Sequence, residues 1–258
     1  MVPTLIFDIE TIPDVMGLRS VHGLSADVSD AQVVEQVYAA RREKTGSDFL
    51  PHTQHRVCAI SCVLREGEEN LAVWSLGDLK DDERTLIKKF FGLIDHYTPQ
   101  LVSWNGGGFD LPVLHYRALV HGITASRYWD WGDDDRDFKY NNYQSRYHTR
   151  HLDLMDVLAM YQPRAFAALD DMARLCGLPG KLGMDGSQVW PAYQRGELAA
   201  IRNYCETDVV NTYLLYLRFM LMRGTLHHDS YATEVTRLRE RLTTLAGGHW
   251  KEYLDAWK

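Results

Sequence analysis

The chain has 258 residues, 45% of them hydrophobic and 24% charged, the balance of a soluble globular protein able to bury a sizeable core. Its longest apolar stretches, such as the one ending Phe219-Met220-Leu221-Met222, are interrupted by Arg218 and Arg223 and fall short of the roughly 20 residues a membrane span needs, which excludes a transmembrane helix. Twenty-eight Lys and Arg against thirty-five Asp and Glu leave a net charge of −7. That sign is wrong for holding nucleic acid by bulk electrostatics, unless the acids are gathered in a metal site.

Met1-Val-Pro-Thr-Leu-Ile-Phe-Asp8 lacks a basic region, a long apolar core and a small-residue cleavage site, so the expected location is cytoplasmic. Cys58, Cys62, Cys176 and Cys205 are then expected to be reduced and packed as small hydrophobes. The even spacing of Cys58 and Cys62 in a β-like run predicts both thiols on one face.

Thr4-Leu-Ile-Phe-Asp-Ile-Glu10 reads as a buried first strand. Residues 14 to 53 follow as an insert with one amphipathic helix, where Ser29 or Asp30 can cap the run Val33-Val34-x-x-Val37-Tyr38. Two strands, 55 to 64 and 70 to 76, form a hairpin around the polar turn 65 to 69. A helix from 81 to 97 and a short strand from 101 to 104 come next, then a glycine-rich turn at 105 to 108 opening a helix to about 120. An aromatic and acidic loop spans 129 to 148, and 151 to 154 suggests another strand. Helices are expected over 154 to 161, 166 to 176 and 196 to 222, with a helical tail from Thr233. Hairpin plus βαβ crossovers predict a three-layer α/β domain around a mixed sheet. No Pro- or Ser-rich linker divides the chain, so one domain over 1 to 258 is expected, with the 14 to 53 insert and a C-terminal helical extension from 224 to 258.

Three small groups can carry chemistry. Asp8 and Glu10 leave the same face of a strand, where buried carboxylates need a compensating partner. Asn105-Gly-Gly-Gly-Phe109-Asp110 sits where a strand ends and a helix begins; Asp110 can equally serve as a helix-start charge. No Lys-Ser or Lys-Thr follows these glycines, which argues against a nucleotide-binding P-loop. Tyr204 and Asp208 stand one turn apart on a long helix whose apolar stripe is Leu198, Ile201, Cys205, Val209, Thr212, Tyr213 and Tyr216; alone, they read as well as a surface pair.

Taken in order, Asp-x-Glu on a first strand, Asn-x3-Phe-Asp after a central strand and Tyr-x3-Asp on a late helix resemble the 3′→5′ exonucleases of the ribonuclease H-like superfamily that use four acids and a tyrosine. Within them the sequence is most similar to the proofreading exonuclease domain of family B DNA polymerases and its free-standing relatives. Phe7-Asp-Ile-Glu-Thr-Ile-Pro13, Asn105 to Pro112 and Tyr204-Cys-Glu-Thr-Asp-Val-Val210 carry the match. The resemblance implies a ribonuclease H-like fold and removal of nucleotides from a 3′ end, most readily of single-stranded DNA, with RNA 3′ ends or non-catalytic nucleic-acid binding as alternatives. In a chain of 258 residues, it implies an exonuclease without an attached polymerase domain.

By the same resemblance Asp8, Glu10, Asp110 and Asp208 would bind two divalent cations, Mg²⁺ or Mn²⁺, and Tyr204 would position the attacking water. Two such ions offset the four carboxylates and change the formal charge from −7 to −3, removing most of the electrostatic objection. Thr11 is expected at the 3′ hydroxyl, Ile12 as a wedge against the terminal base, Phe109 stacked on a base and Asn105 hydrogen-bonded to the strand, with plain core packing as the alternative for Ile12 and Phe109. Lys181, in a glycine-spaced connection from 177 to 186, can reach a phosphate, and Asp153 and Asp156 are expected to support the site rather than ligate. Trp129, Trp131, Phe138, Tyr140, Tyr143 and Tyr147 alternate with Arg136, Lys139 and Arg146, a pattern open to base stacking, while Asp130, Asp133, Asp134, Asp135 and Asp137 weigh against it.

Overall fold

The computed structural model describes residues 2–258. Strand β1 (Thr4–Pro13) is the centre of a five-stranded sheet. It pairs antiparallel with β2 (His55–Glu66), which carries β3 (Asn70–Ser75) on its outer edge; on the other side β4 (Gln100–Ser103) and β5 (His151–Asp153) add in parallel. The order is β3-β2-β1-β4-β5, the expected mixed sheet of antiparallel hairpin and parallel crossovers. Alternation along β1 sorts the core into two layers. Leu5, Phe7 and Ile9 pack against α3 (Glu83–Tyr97) and α4 (Asp110–His121), while Ile6 packs on the opposite side against α8 (Leu198–Met222). Asp8 and Glu10 share the parity of Ile6 and therefore face α8.

One irregularity changes a sequence expectation. Glu10 pairs with Ala59 and Thr11 with Val57, which leaves Cys58 without a partner on β1. This bulge inverts the alternation along β2. Cys62 therefore packs with α3 and α4, whereas Cys58 packs with α8 and α7 (Val189–Gln194), so the two thiols end on opposite faces despite their even spacing.

The 14 to 53 segment folds as two helices rather than one, α1 (Val15–His22) and α2 (Asp30–Thr45). Ser29 and Gln32 cap α2 reciprocally, and Leu18, Val33, Val34, Val37 and Leu50 make its own small core. Buried Arg117 of α4 ties the segment down, donating to Asp14 at 2.5 Å and to both Glu83 oxygens at 2.8 and 2.6 Å. Glu83 also accepts the Val57 N–H at 2.7 Å. Removing one partner of a buried network strands the others, so Arg117→Ala is expected to lower stability by about 3–5 kcal/mol, measured as a shift in denaturant midpoint. A loss below about 1 kcal/mol would show that solvent replaces the guanidinium.

The expected helices at 154 and 166 are shorter in the structure, as α5 (Leu154–Leu158) and α6 (Leu169–Leu175). Left-handed Met160 and Tyr161, with φ of 53° and 60°, stop the first. The tail forms α9 (His228–Thr244) and α10 (Gly248–Ala256), which cover the back of α8. The narrow apolar stripe expected on α8 is thus a helix buried on nearly all sides from Tyr204 to Leu217. Arg237 pairs with Glu234, and Arg239 lies 3.9 Å over the Trp257 ring, so these two cations serve the tail's own packing. No helix among the described residues is long and apolar enough to cross a membrane.

Candidate active site

Four carboxylates from three elements line one cleft of about 290 Å³: Asp8 and Glu10 from β1, Asp110 from α4 and Asp208 from α8. Tyr204 and Lys181 line it with them. β4 pairs with β1 only as far as Ile6, so beyond that point the β1 backbone lacks a strand neighbour on this side. Asp110 fills the gap by accepting the Ile9 N–H at 3.1 Å. The buried carboxyl is thereby aimed at the strand that carries the other two acids.

The turn that delivers Asp110 depends on its glycines. A side chain on Gly106 would meet Ser103 Oγ at 2.4 Å, and one on Gly108 would meet Asn105 Oδ1 at 2.4 Å. Asn105 itself has a φ of 67°, a left-handed conformation that asparagine tolerates better than most residues. Asp153 holds the turn, accepting the Asn105 and Gly107 N–H groups at 2.9 Å each while capping α5.

Burial and mutual repulsion govern the charges. Burial pushes the Asp8 carboxyl well above the usual carboxylate range, and the Asp110 and Asp208 charges push it further. Glu10 is raised in the same way, by burial and then by Asp8 and Asp208. Burial lifts Asp110 to about 7 against the opposing Ile9 hydrogen bond, and Asp208 to about 6 against the attraction of Lys181. Four acids in such surroundings call for cations. Asp208 Oδ1 is buried without a hydrogen-bond partner, and ligand atoms of Asp8, Glu10 and Cys205 lie within 4.8 Å of one another. This donor set, dominated by hard oxygens, fits divalent cations such as Mg²⁺ or Mn²⁺.

Cys205, which the sequence places only in the apolar stripe of α8, also borders the site. Its thiol lies 3.4 Å from the Asp8 carbonyl oxygen and 3.5 Å from Asp8 Oδ2. The available signal was its place between Tyr204 and Asp208 on the same helix.

Lys181 Nζ donates to the Tyr204 hydroxyl at 2.5 Å and stands 3.6 Å from Asp208 Oδ2. The connection carrying it is tied rather than free: the Lys181 N–H donates to Asp170 at 2.6 Å, and the Gly180 carbonyl accepts from Asn211 Nδ2 at 3.1 Å. The Tyr253 hydroxyl of α10 in turn donates to Asn211 Oδ1 at 2.7 Å. A link from the tail to the cleft of this kind spans 72 residues of sequence, beyond the reach of local patterns.

The other expected contacts divide. Asn105 and Phe109 line the carboxylate cleft. The Thr11 hydroxyl sits beside it, within 2.8 Å of His55 Nδ1. Ile12 does not present a wedge: it is 2% exposed and packed among Cys58, Val189, Ile201 and Tyr204, beneath α7 and α8. Of the aromatic loop, Phe138 and Tyr143 are buried in the core beside α4, and Trp129, Trp131, Tyr140 and Tyr147 remain exposed.

Known proteins resemble the chain in sequence and in fold. The DNA polymerase of Archaeoglobus fulgidus is 28% identical over 151 residues, 57% of this chain and 19% of that polymerase. The DNA polymerase epsilon catalytic chain of Kluyveromyces lactis is 27% identical over 143 residues, 54% of this chain and 6% of that one. The chain therefore spans about a fifth or less of these relatives. The structure of the family B DNA polymerase from the archaeon Pyrobaculum calidifontis has a TM-score of 0.53 at 18% identity, covering 86% of this chain and 25% of that one, a likeness of fold. The sequence model of a family described as predicted 3′-5′ exonucleases related to the exonuclease domain of PolB matches residues 47–257, a span that holds Asp110, Tyr204 and Asp208 and begins after β1. With most of its length in that match, the chain belongs to the family of predicted 3′-5′ exonucleases related to the exonuclease domain of PolB.

Proposed function

We propose that the chain is a 3′→5′ exonuclease that hydrolyses the terminal phosphodiester of single-stranded DNA. The observation that carries this reading is the convergence of Asp8, Glu10, Asp110 and Asp208 on one cleft beside Tyr204 and Lys181, with one Asp208 oxygen buried and unpartnered. Two divalent cations held by the four carboxylates would supply Lewis acidity, acidifying water and offsetting charge on the leaving 3′ oxygen.

The chain's own residues do the rest. Burial, together with the Asp208 and Glu10 charges, pushes the Tyr204 phenol further above its ordinary value near 10, so it stays protonated and cannot act as a general base. With its oxygen accepting from Lys181, the phenol keeps its own proton to orient a water against phosphorus. Lys181 brings a fixed positive charge to the non-bridging phosphate oxygens. Asp110, held by the Ile9 N–H, keeps its carboxylate in register with β1. Attack forms a new P–O bond, breaks the bond to the 3′ oxygen, and releases a nucleoside 5′-monophosphate and a strand shortened by one residue.

Tyr204→Phe is expected to lower kcat about 10- to 100-fold with KM nearly unchanged, since orientation of water is lost while strand contacts persist. A comparable rise in KM with kcat retained would move the tyrosine to substrate binding. The reading itself is tested by digesting 5′-labelled single-stranded DNA and RNA of one sequence with Mg²⁺, Mn²⁺ or EDTA. A cation-dependent ladder shortening from the 3′ end of DNA is expected. Preference for RNA would reassign the sugar, and binding without cleavage would leave a nucleic-acid-binding domain.

A further inference from the structure

The carboxylate cleft adjoins two others. One, of about 410 Å³, shares Ile9, Glu10 and Phe109 with it and contains Thr11; Tyr38 and Phe49 of the 14 to 53 segment and Trp190 of α7 wall it in. The second, of about 460 Å³, shares Asn105 and lies between α4, the loop from 122 to 150 and the turn at 163 to 168. A short run divides the carboxylate cleft from this outer one. Phe166 lines the outer side and Ala167 and Ala168 the inner, with Trp104 Nε1 holding the Ala167 carbonyl at 3.0 Å.

We propose that the outer cleft carries the part of the single strand on the 5′ side of the scissile phosphate, with Trp129 and Phe166 as its stacking faces. This rests on the exonuclease reading and extends it. A strand's 3′ end needs an enclosed pocket and the remainder needs an open path. The insert and α7 bound the cleft beside Thr11, and the outer cleft is assigned to the strand on the two aromatic faces it presents.

Trp129 and Phe166 are 41% and 40% exposed, large apolar faces turned to solvent within a cleft. Trp129 does not hang free. Its ring packs 4.9 Å from His115 and 5.2 Å from Tyr128, and buried Tyr128 is stacked on buried Tyr143 at 5.3 Å with planes 9° apart. A face held on such a base loses little side-chain freedom when it binds.

The charges of the cleft point to the same ligand chemistry. Arg146 is paired with Asp156, and Asp153 is occupied by backbone N–H groups, so the cleft offers flat faces rather than free cations. Part of the acidity that argued against stacking is also taken up within the loop. Asp130 accepts the N–H groups of Gly132 and Asp135 at 2.8 and 3.0 Å, and Asp135 pairs with Arg127 at 3.3 Å. Base stacking tolerates any sequence and needs unpaired bases, whose faces are not already covered by a duplex.

The test is binding of a fluorescein-labelled eight-nucleotide oligothymidylate, read by anisotropy with Ca²⁺ replacing Mg²⁺, so that affinity is measured whether or not the strand is cleaved. Trp129→Ala and Phe166→Ala are each expected to weaken binding about ten-fold. Trp129→Phe should restore most of the loss, and the slope of affinity against salt should match the unaltered chain because no phosphate contact is removed. Thymidine 5′-monophosphate, which has no residue upstream of its phosphate, should bind all variants equally. Tyr140→Ala, in the same loop but outside the cleft, should have no effect. Unchanged affinity in both alanine variants, an equal loss in Tyr140→Ala, or no binding by the unaltered chain overturns the proposal. Strand binding lost in the variants alongside absent hydrolysis in the unaltered chain would sink the exonuclease reading and keep the cleft.

Discussion

Asp208→Ala is expected to reduce release of nucleotides by about 1,000-fold or more in kcat/KM, roughly 4 kcal/mol of transition-state stabilisation. Asp208 is the acid whose second oxygen is buried and unpartnered, and its other oxygen is the one that faces Lys181. On the proposed mechanism, removing the carboxylate takes away a cation ligand and the acidic partner of Lys181. The structural control is Asp208→Asn, which keeps the volume. Burial raises this carboxyl to about 6, so its charged form is costly at neutral pH, and the amide protein should melt at the same temperature or higher without cations. Loss of activity with undiminished stability would assign the effect to chemistry. Activity within ten-fold of the unaltered chain would remove Asp208 from the machinery.

Mg²⁺ or Mn²⁺ is expected to stabilise the chain at pH 8 far more than at pH 6. The folded state raises the carboxyls of Asp8, Glu10, Asp110 and Asp208, the last two to about 7 and about 6. Between about pH 4 and pH 7 the native site therefore holds more protons than the unfolded chain. Its contribution to stability falls as pH rises through that window, because deprotonation leaves unscreened repulsion. Bound cations reverse this, and they must displace whatever protons remain. His55, His115 and His151, pushed down to about 4 by burial, act in the opposite sense: they favour folding increasingly as pH climbs towards 6.5. The quantity to read is accordingly the difference in melting temperature with and without cation at each pH, in which the histidine contribution cancels. A cation at one hundred times its Kd adds about 2.7 kcal/mol, or about 5–10 °C for a chain of this size. At pH 6 the shift should shrink to a small fraction of that, and Asp110→Asn should flatten the dependence. Equal shifts at both pH values would place the cations elsewhere.

The legible parts of the molecule were those written in short-range periodicity. The hairpin, α3, α4 and α8 stand within a few residues of where apolar runs and helical spacing put them, although β2 and most of α8 are buried on more than one face. The short helices were less legible. α7 has only 6 residues and follows a glycine-spaced run, so it lacks the turns needed to show a period. α1 has only 8 residues and lies between the end of β1 and the capping box of α2, too short to show more than two turns of a period. The pairing of Cys58 with the wrong face has a single cause, one extra residue in β2 that no local pattern announces.

The site divides along the same line. Asp8, Glu10, Asp110, Tyr204 and Asp208 are recognisable from residue type and spacing, since two carboxylates two apart on a strand, or a phenol and a carboxylate four apart on a helix, share a face by backbone geometry alone. Their meeting in one cleft is a property of the folded chain. It requires β4 to end early enough to free the Ile9 N–H for Asp110, and α8 to lie on the Asp8 side of the sheet. Lys181 shows the limit most clearly: in the chain it is a lysine among glycines, and only the anchors at Asp170, Asn211 and Tyr253 bring it to Tyr204. Likewise, whether an aromatic residue of the 129 to 148 loop is core or surface follows from which rings fit beneath Arg150 and Tyr128, as Phe138 and Tyr143 do. Local geometry acts over one turn or one strand pair and can be read directly; burial, long-range hydrogen bonds and the raised carboxyls arise only when segments far apart in the chain exclude water together.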